Sequence, residues 1–394
     1  MGKFTARNDV ALERLIENHM MSIVDAVRSN MEPIAILLRG SFGRGEGSVA
    51  VIDGGYQFYS DYEIDVVTYS PGYRGLFKDL SRRFTDELKV ETSLRWVRPD
   101  FLEKHRTGPF VTGREPISIS TYESRYGSMV IFGEDFVAKS AEIDPVQIDK
   151  VSGIYLMLNR MAESMMNMES TGGKANKNRD SYYWYNKTIL ACAEALLLNW
   201  EKYHYSYAER GRRFERLAGE RLGFLEDDGK KLSGLVRRAT QYKLMPDPRL
   251  YSEPAADLWS DAIPLIDRVF RTLVGEILGI EASVYENYPK RYLSAIAVRS
   301  KRKWLTATGE KMLEVYRSLR ARHIPVGLFR ERDLSEVVYA NVPLVFRSQC
   351  GGDYTAILQA ASSAMKPLGK LEPGGDRQYL RDKLTWMWKV YCYG

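Results

Sequence analysis

Cysteine and histidine are scarce in this chain, with three cysteines and four histidines among 394 residues. Cys192, Cys350 and Cys392 are far apart, odd in number and without C-x-x-C spacing. A disulfide framework and a thiolate zinc site are therefore not indicated, and a reducing cytoplasm is the expected setting. His19, His105, His204 and His323 show no metal-ligand spacing. Long apolar runs are missing too: none nears the roughly 20 residues that span a bilayer. The start MGKFTARNDVALERL lacks the apolar core of a signal peptide, and Ala6 stands where a myristoylation signal has Ser or Thr. A soluble protein without a membrane partner is expected. Internal repeats and low-complexity tracts are also lacking.

What is present is ordinary globular composition, 44% hydrophobic and 27% charged, with a net charge of +6 that suits polyanionic partners. The length predicts two or three domains. Residues 9–29 carry apolar positions at helical spacing, and IAILL (34–38) reads as a buried strand. YEIDVVTY (62–69) alternates like a second strand, stopped by Pro71 and Gly72. RGLFKDLSRRFTDEL (74–88) is an amphipathic helix; KVETSLRWV (89–97) and SMVIFG (128–133) are further strands. From Asp144 onward the pattern is helical, interrupted by the polar segments STGGKANKNRD (170–180) and LEPGGDR (371–377). The first of these is expected as a loop beside whatever site the helices face. An α+β fold follows, with an N-terminal unit of mixed sheet and helices over 1–143 and helical domains over 144–284 and 285–394.

Two features of the first unit carry chemistry. LLRGSFGRGEG (37–47) places Gly40, Gly43, Gly45 and Gly47 after the first strand, and SDYEIDVV then sets Asp61, Glu63 and Asp65 at alternate positions. Side chains alternate faces along a strand, so the three carboxylates share one side within roughly 14 Å. Their repulsion calls for compensation, which a divalent cation supplies. Magnesium binds oxygen donors and commonly uses one or two carboxylates together with substrate phosphates. At the end of the first strand, backbone N–H groups and the Ser41 hydroxyl could hold a terminal phosphate, with Arg44 as a cationic clamp. The turn then holds a triphosphate and the acidic strand holds the metals that bridge it.

GSFGRGEG followed by SDYEI resembles the signature of the nucleotidyltransferase superfamily typified by DNA polymerase beta, poly(A) polymerases, CCA-adding enzymes and antibiotic nucleotidyltransferases. Its Gly-Ser falls on Gly40 and Ser41. Its acidic pair falls on Asp61 and Glu63, opened by Ser60, although Glu63 and Asp65 also satisfy the pattern. The resemblance implies a polymerase-beta-like domain that transfers a nucleoside monophosphate from a nucleoside triphosphate to an acceptor hydroxyl. It implies two magnesium ions, or manganese in their place, held by Asp61, Glu63 and Asp65. It further implies a third carboxylate that acts as base or completes the metal shell, best matched by Glu91 with Glu123 competing. A lysine from the helical region is expected on the triphosphate, matched by Lys187 in YYWYNKTILACAEALLL, with Tyr183 or Tyr185 near the base. Nineteen residues separate Ser41 from Asp61, so an insertion around SVAVIDGGYQFY is required. The resemblance covers about the first 140 residues.

Plainer alternatives accompany each feature. The acids could line the solvent face of an edge strand. GEGSVA also fits the dinucleotide pattern G-x-G-x-x-A, although that fingerprint follows its strand directly and uses one acid. Lys187 could extend to solvent along its apolar stem. Arg210, Arg212 and Arg213 with Tyr203, Tyr205 and Tyr207 could form an acceptor face or a solvated helix end. The stretch 289–305 concentrates Lys290, Arg291, Arg299, Lys301, Arg302 and Lys303. It predicts either an RNA-binding track, with Tyr292 or Trp304 stacking on a base, or a solvated helical surface. The acceptor is accordingly an RNA or tRNA end, a small molecule of the antibiotic type, or a protein hydroxyl. A non-catalytic nucleotide- or RNA-binding relative is the competing class, which the cost of keeping three strand carboxylates disfavours.

Overall fold

The computed structural model describes residues 2–99, 117–168, 178–281, 287–299, 304–321, 333–350, 354–368 and 376–392. The fold is mixed α+β, with a small mixed sheet and many helices. Its contacts define two units. The first comprises Met1–Ser152, Trp200–Arg221 and Ser233–Leu250; the second comprises Gly153–Asn199, Leu222–Leu232 and Tyr251–Gly394. The chain thus enters the first unit three times, a division that the consecutive segments 1–143, 144–284 and 285–394 do not follow.

The first unit opens with α1 (Val10–Arg28), whose start is capped by the Asp9 carboxylate accepting from the Leu12 N–H at 3.0 Å. Leu12, Ile16, Met20, Ile23 and Val27 recur at three- and four-residue steps and are buried together. There follow β1 (Ala35–Arg39), a single helical turn α2 (Gly40–Gly43), β2 (Val49–Ile52), β3 (Gly55–Phe58) and β4 (Tyr62–Val67). Next come α3 (Arg74–Leu88), β5 (Thr92–Val97), α4 (Ile119–Tyr126), β6 (Met129–Gly133) and α5 (Phe136–Lys139).

Four strands form one sheet in the order β5-β4-β1-β6. β1 runs antiparallel to β4 and β6, while β4 and β5 are parallel. β4 therefore lies inside the sheet, and the edge-strand account of its acids does not apply. The dinucleotide alternative fails as well, because GEGSVA leads into β2 rather than a helix and β1 has antiparallel neighbours only. The expected insertion is the β2-β3 hairpin, turned by Asp53 and Gly54 at φ 51° and 78°. Positive φ at both central residues is what an Asp-Gly hairpin turn supplies.

Alternation on the strands divides the sheet into two faces. Ile36, Leu38, Tyr62, Ile64, Val66 and Leu94 pack with the apolar faces of α1 and α3. Each large aliphatic side chain buried there contributes about 1.5–3 kcal/mol. On the other face Ala35, Leu37 and Val67 pack with Val130, Phe136 and Val137, leaving Arg39, Glu63, Asp65 and Arg95 on that side.

The chain then forms α6 (Val151–Asn167), α7 (Asn178–Asn199), α8 (Tyr207–Arg221) and α9 (Asp228–Leu244). The last helices are α10 (Ala255–Leu278), α11 (Tyr288–Arg299), α12 (Trp304–Arg320), α13 (Leu334–Arg347), α14 (Thr355–Ala364) and α15 (Arg377–Tyr391). α8 and residues 233–244 of α9 belong to the first unit. The second unit is helical among its described residues. Among its polar contacts, Glu336 accepts from Tyr155 and Tyr292 hydroxyls at 2.6 and 3.1 Å, and Asn159 accepts from Tyr339 and Trp388. Among the described residues no helix is long and apolar enough to cross a membrane. Most of the loop expected over 170–180, and most of the break at 371–377, lie outside the described residues.

Candidate functional site

The site is built where β1 ends. Gly40 sits at φ +62°, and a Cβ added there would come within 2.3 Å of the Glu63 Oε1. Glycine is needed on both counts, and its lack of a side chain lets the Glu63 carboxylate lie against the turn. Ser41 follows, and its hydroxyl accepts from the Lys243 Nζ at 2.9 Å. The same ammonium donates to the Ser60 Oγ at 3.2 Å and lies 5.1 Å from the Tyr207 ring centroid. Ser60 also accepts from the Ser48 N–H, and Ser48 donates to the Lys243 carbonyl, so the end of α9 is tied to the loop after the turn.

Lys243 is buried, and desolvation draws its pKa down to about 8; the nearby Arg44 adds to the effect while Asp61 and Glu46 oppose it. Asp61 is exposed at the start of β4. Glu63 is half-buried, and its pKa is raised by burial first and then by Asp61, against the pull of Arg39 and Arg44. Burial is the first cause of both shifts, and the Asp61 charge contributes to each, so Asp61 is felt by Glu63 and by Lys243 alike.

Asp65 occupies a different environment. It accepts from Arg95 Nε and Nη2 at 2.9 and 2.7 Å and from Arg39 Nη1 at 3.1 Å. Burial pushes its carboxyl up to about 6, against the Arg39 charge. Two guanidiniums already compensate this acid, which separates it from the Asp61 and Glu63 pair. Glu91 immediately precedes β5 with an exposed side chain, and its carbonyl accepts from the Tyr62 N–H at 2.8 Å. That bond sets it beside the start of β4.

Glu123, the competing third carboxylate, is locked in place. It pairs with Arg44 and Arg210 at 3.1 Å each and accepts from the Tyr203 hydroxyl at 2.8 Å. Burial opposes its charge, but the two guanidiniums hold its carboxyl down at about 2. Arg44 is consequently engaged in a buried pair and also donates to the Tyr205 carbonyl at 3.2 Å. Arg210 and Tyr203 are buried, so the basic and aromatic run at 203–213 forms neither an open acceptor face nor a purely solvated helix end. Its physical role is to anchor α8 on the turn. Glu46 completes that anchor by accepting from Ser206 Oγ and from the Tyr207 and Ala208 N–H groups at 2.7–3.0 Å, which caps α8.

The remaining expected residues are not brought to this turn by any contact within the first unit. Lys187 belongs to the second unit, where its ammonium lies 4.5 Å from the Trp184 ring centroid and 5.1 Å from that of Tyr183. Tyr185 is buried edge-on against Tyr251 and Trp259. Tyr292 is fully buried with its hydroxyl on Glu336, which rules it out as a stacking platform. On α11, Arg291 pairs with Glu281 and Arg299 donates to the Ile277 carbonyl; Lys301, Arg302 and Lys303 lie outside the described residues.

The first unit also contains a cavity of about 430 Å³ on the sheet face that carries Asp65. Its lining combines Arg39, Arg95 and Arg98 with hydroxyls from α4 and apolar residues that include Leu37 and Val97.

Sequence reasoning missed Lys243, Glu46 and the two arginines on Asp65. Lys243 lies in RRATQYKLMPDP as an ordinary cation in the last turn of a helix. No local signal sets it apart. Among the described residues, no three acidic, histidine or cysteine side chains form a ready-made metal cage. Comparison of the chain with protein-family models, curated proteins and solved structures yielded no match.

Proposed function

We propose that this chain is a metal-dependent nucleotidyltransferase whose polymerase-beta-like catalytic unit moves a nucleoside monophosphate from a nucleoside triphosphate to an acceptor hydroxyl. The observation that carries the reading is the convergence of Glu63 and Lys243 on the Gly40-Ser41 turn, one bringing a carboxylate and the other a cation. A glycine-serine turn closing one strand beside an acidic strand is the arrangement that the resemblance implies.

In this reading the Ser41 hydroxyl and the Lys243 ammonium hold the terminal phosphates, the role that the resemblance implies for a helical lysine. Arg44 positions the turn through its pair with Glu123. Asp61 and Glu63 are the metal-binding carboxylates, and Asp65 organises Arg39 and Arg95. The donor set fits magnesium, because among the described residues Asp61 and Glu63 have no guanidinium within ion-pair distance, and Glu63 lies against the turn where phosphate oxygens would complete the shell. Magnesium supplies neutralisation of the phosphate charge.

The acceptor oxygen forms a bond to the α-phosphorus while the bond from that phosphorus to the β-phosphate oxygen breaks. Pyrophosphate leaves, and the acceptor proton passes to Glu91. The chain's contribution is positioning and charge compensation, as is usual for phosphoryl chemistry.

Incubation with each α-labelled nucleoside triphosphate, magnesium and cell extract should move label to an acceptor. Asp61→Ala and Glu63→Ala should abolish this while leaving the circular dichroism unchanged. Retention of transfer by both variants, or no labelled product with any nucleotide, removes the assignment. A non-catalytic nucleotide binder would be stabilised by nucleotide without forming product.

A further inference from the structure

We propose that the N-terminal segment 3–5 positions the phosphate-binding turn, acting as a strap that holds the loop 44–48 in the shape that nucleotide binding requires. The inference rests on the nucleotidyltransferase reading and adds to it residues that act on the site without touching substrate.

The loop leads from the Gly40-Ser41 turn to β2 and carries the ties of the site. The Glu46 N–H donates to the Ser41 carbonyl at 2.8 Å, and the Glu46 carboxylate caps α8. The Ser48 N–H donates to the Ser60 hydroxyl at 3.0 Å, and the Ser48 hydroxyl donates to the Lys243 carbonyl. Ser41 and Lys243, the two groups assigned to the phosphates, are thus both fastened to this one loop. Between Glu46 and Ser48 stands Gly47, whose N–H donates to the Phe4 carbonyl at 3.0 Å beside a parallel bridge to Thr5. A Cβ at Gly47 would lie 2.2 Å from the Phe42 ring, so the loop rests directly on α2 at the point where the strap holds it.

The strap is itself secured at several points. Phe4 is 1% exposed and joins Phe42 and Val49 in the buried cluster under the sheet. The Glu13 carboxylate, in the first turn of α1, accepts from the Phe4 and Thr5 N–H groups at 2.8 and 3.0 Å and from the Thr5 hydroxyl at 2.7 Å. Arg7 Nε donates to the Val49 carbonyl at 2.8 Å, which extends the tie onto β2. A loop keeps one conformation only where its backbone groups have fixed partners. Here the partner of the Gly47 N–H is Phe4, and its release would loosen the stretch that carries both Glu46 and Ser48.

The test compares Glu13→Gln and Phe4→Ala in the full chain with Val27→Ala, a core truncation near the other end of α1 that leaves the strap's contacts in place. Calorimetry with magnesium ATP, GTP, CTP and UTP reads affinity, and amide hydrogen exchange reads the loop. Glu13→Gln, which keeps the Phe4 ring seated and so stays informative if Phe4→Ala does not fold, should weaken nucleotide binding by at least about tenfold. Phe4→Ala should weaken it by as much or more. In both, the Gly47 and Ser48 amides should exchange faster than in Val27→Ala, which should bind nucleotide like the wild type. In a Lys243→Met background the effect of Glu13→Gln should shrink, because the strap acts through the loop that holds Lys243. Wild-type affinity in Glu13→Gln, unaltered exchange at Gly47, an equal loss in Val27→Ala, or full additivity with Lys243→Met overturns the strap while leaving nucleotidyl transfer standing. Failure of the wild-type chain to bind any of the four nucleotides removes the nucleotidyltransferase reading, and the strap with it.

Discussion

Lys243 donates to Ser41 across 202 positions of sequence, at 2.9 Å, and so fastens the last turn of α9 to the first residues after β1. This contact joins a folding constraint to a chemical one. A buried ammonium is costly, and its partners are two neutral hydroxyls rather than a carboxylate.

Replacing Lys243 by Met should weaken binding of magnesium ATP by roughly 100-fold, about 2.7 kcal/mol, measured by calorimetry. Nucleotide anions favour the charged lysine, so at about pH 8.5 binding by the wild-type chain should take up a proton, visible as a buffer-dependent enthalpy. Lys243→Met should show no such dependence.

The same group predicts a stability profile. Its pKa is about 8 when folded and 10.5 when free, so the unfolded chain holds the proton over a window in which the folded chain has lost it. Unfolding takes up a proton there, and stability should rise with pH from about 8 to about 10.5. In Lys243→Met this rise should be missing from denaturant titrations across that window.

Gly40→Ala should lose transfer activity as well as stability. Alanine at φ +62° is strained, and its Cβ would displace the Glu63 carboxylate. The backbone term alone is about 1 kcal/mol, so the protein should remain folded with a modestly lower Tm. A variant with normal transfer would show that Glu63 does not need its place against the turn.

Asp65→Asn should act on stability. It leaves Arg39 and Arg95 without their shared carboxylate, at a cost of about 1–3 kcal/mol, softened because the Arg95 side chain is 52% exposed. Urea denaturation should show the loss. Nucleotide affinity should change far less than in Glu63→Ala, a contrast that distinguishes the two acids of β4.

Glu46→Gln should weaken the start of α8. The amide retains only part of the acceptor capacity and none of the charge at the helix N-terminus, a loss of about 1–2 kcal/mol. Thermal unfolding should report it, at about 2–4 °C per kcal/mol.

Local pattern accounts for what was legible in advance. α3 spans Arg74–Leu88, the whole amphipathic segment, because its 3.6-residue period needs only neighbours along the chain. The period of two in YEIDVV placed Tyr62, Ile64 and Val66 inward and Glu63 and Asp65 outward. The Asp53-Gly54 turn lay within a stretch that could be recognised only as an insertion, although the dipeptide itself encodes a hairpin.

Pairing across the sheet and between distant helices was decided by tertiary structure alone. Asp61, Glu63 and Asp65 are equivalent by spacing, yet the β1 and β5 registers set Arg39 and Arg95 on Asp65. The three acids therefore divide into one compensated by arginines, Asp65, and two others, exposed Asp61 and half-buried Glu63. Lys243 is one of many cations on helices, and the packing of α9 in the first unit is what brings it to Ser41. Periodicity specifies which face of an element is buried, because hydrophobic burial has no direction along the chain. Which charge meets which depends on register and helix placement, and those are settled when the whole unit closes.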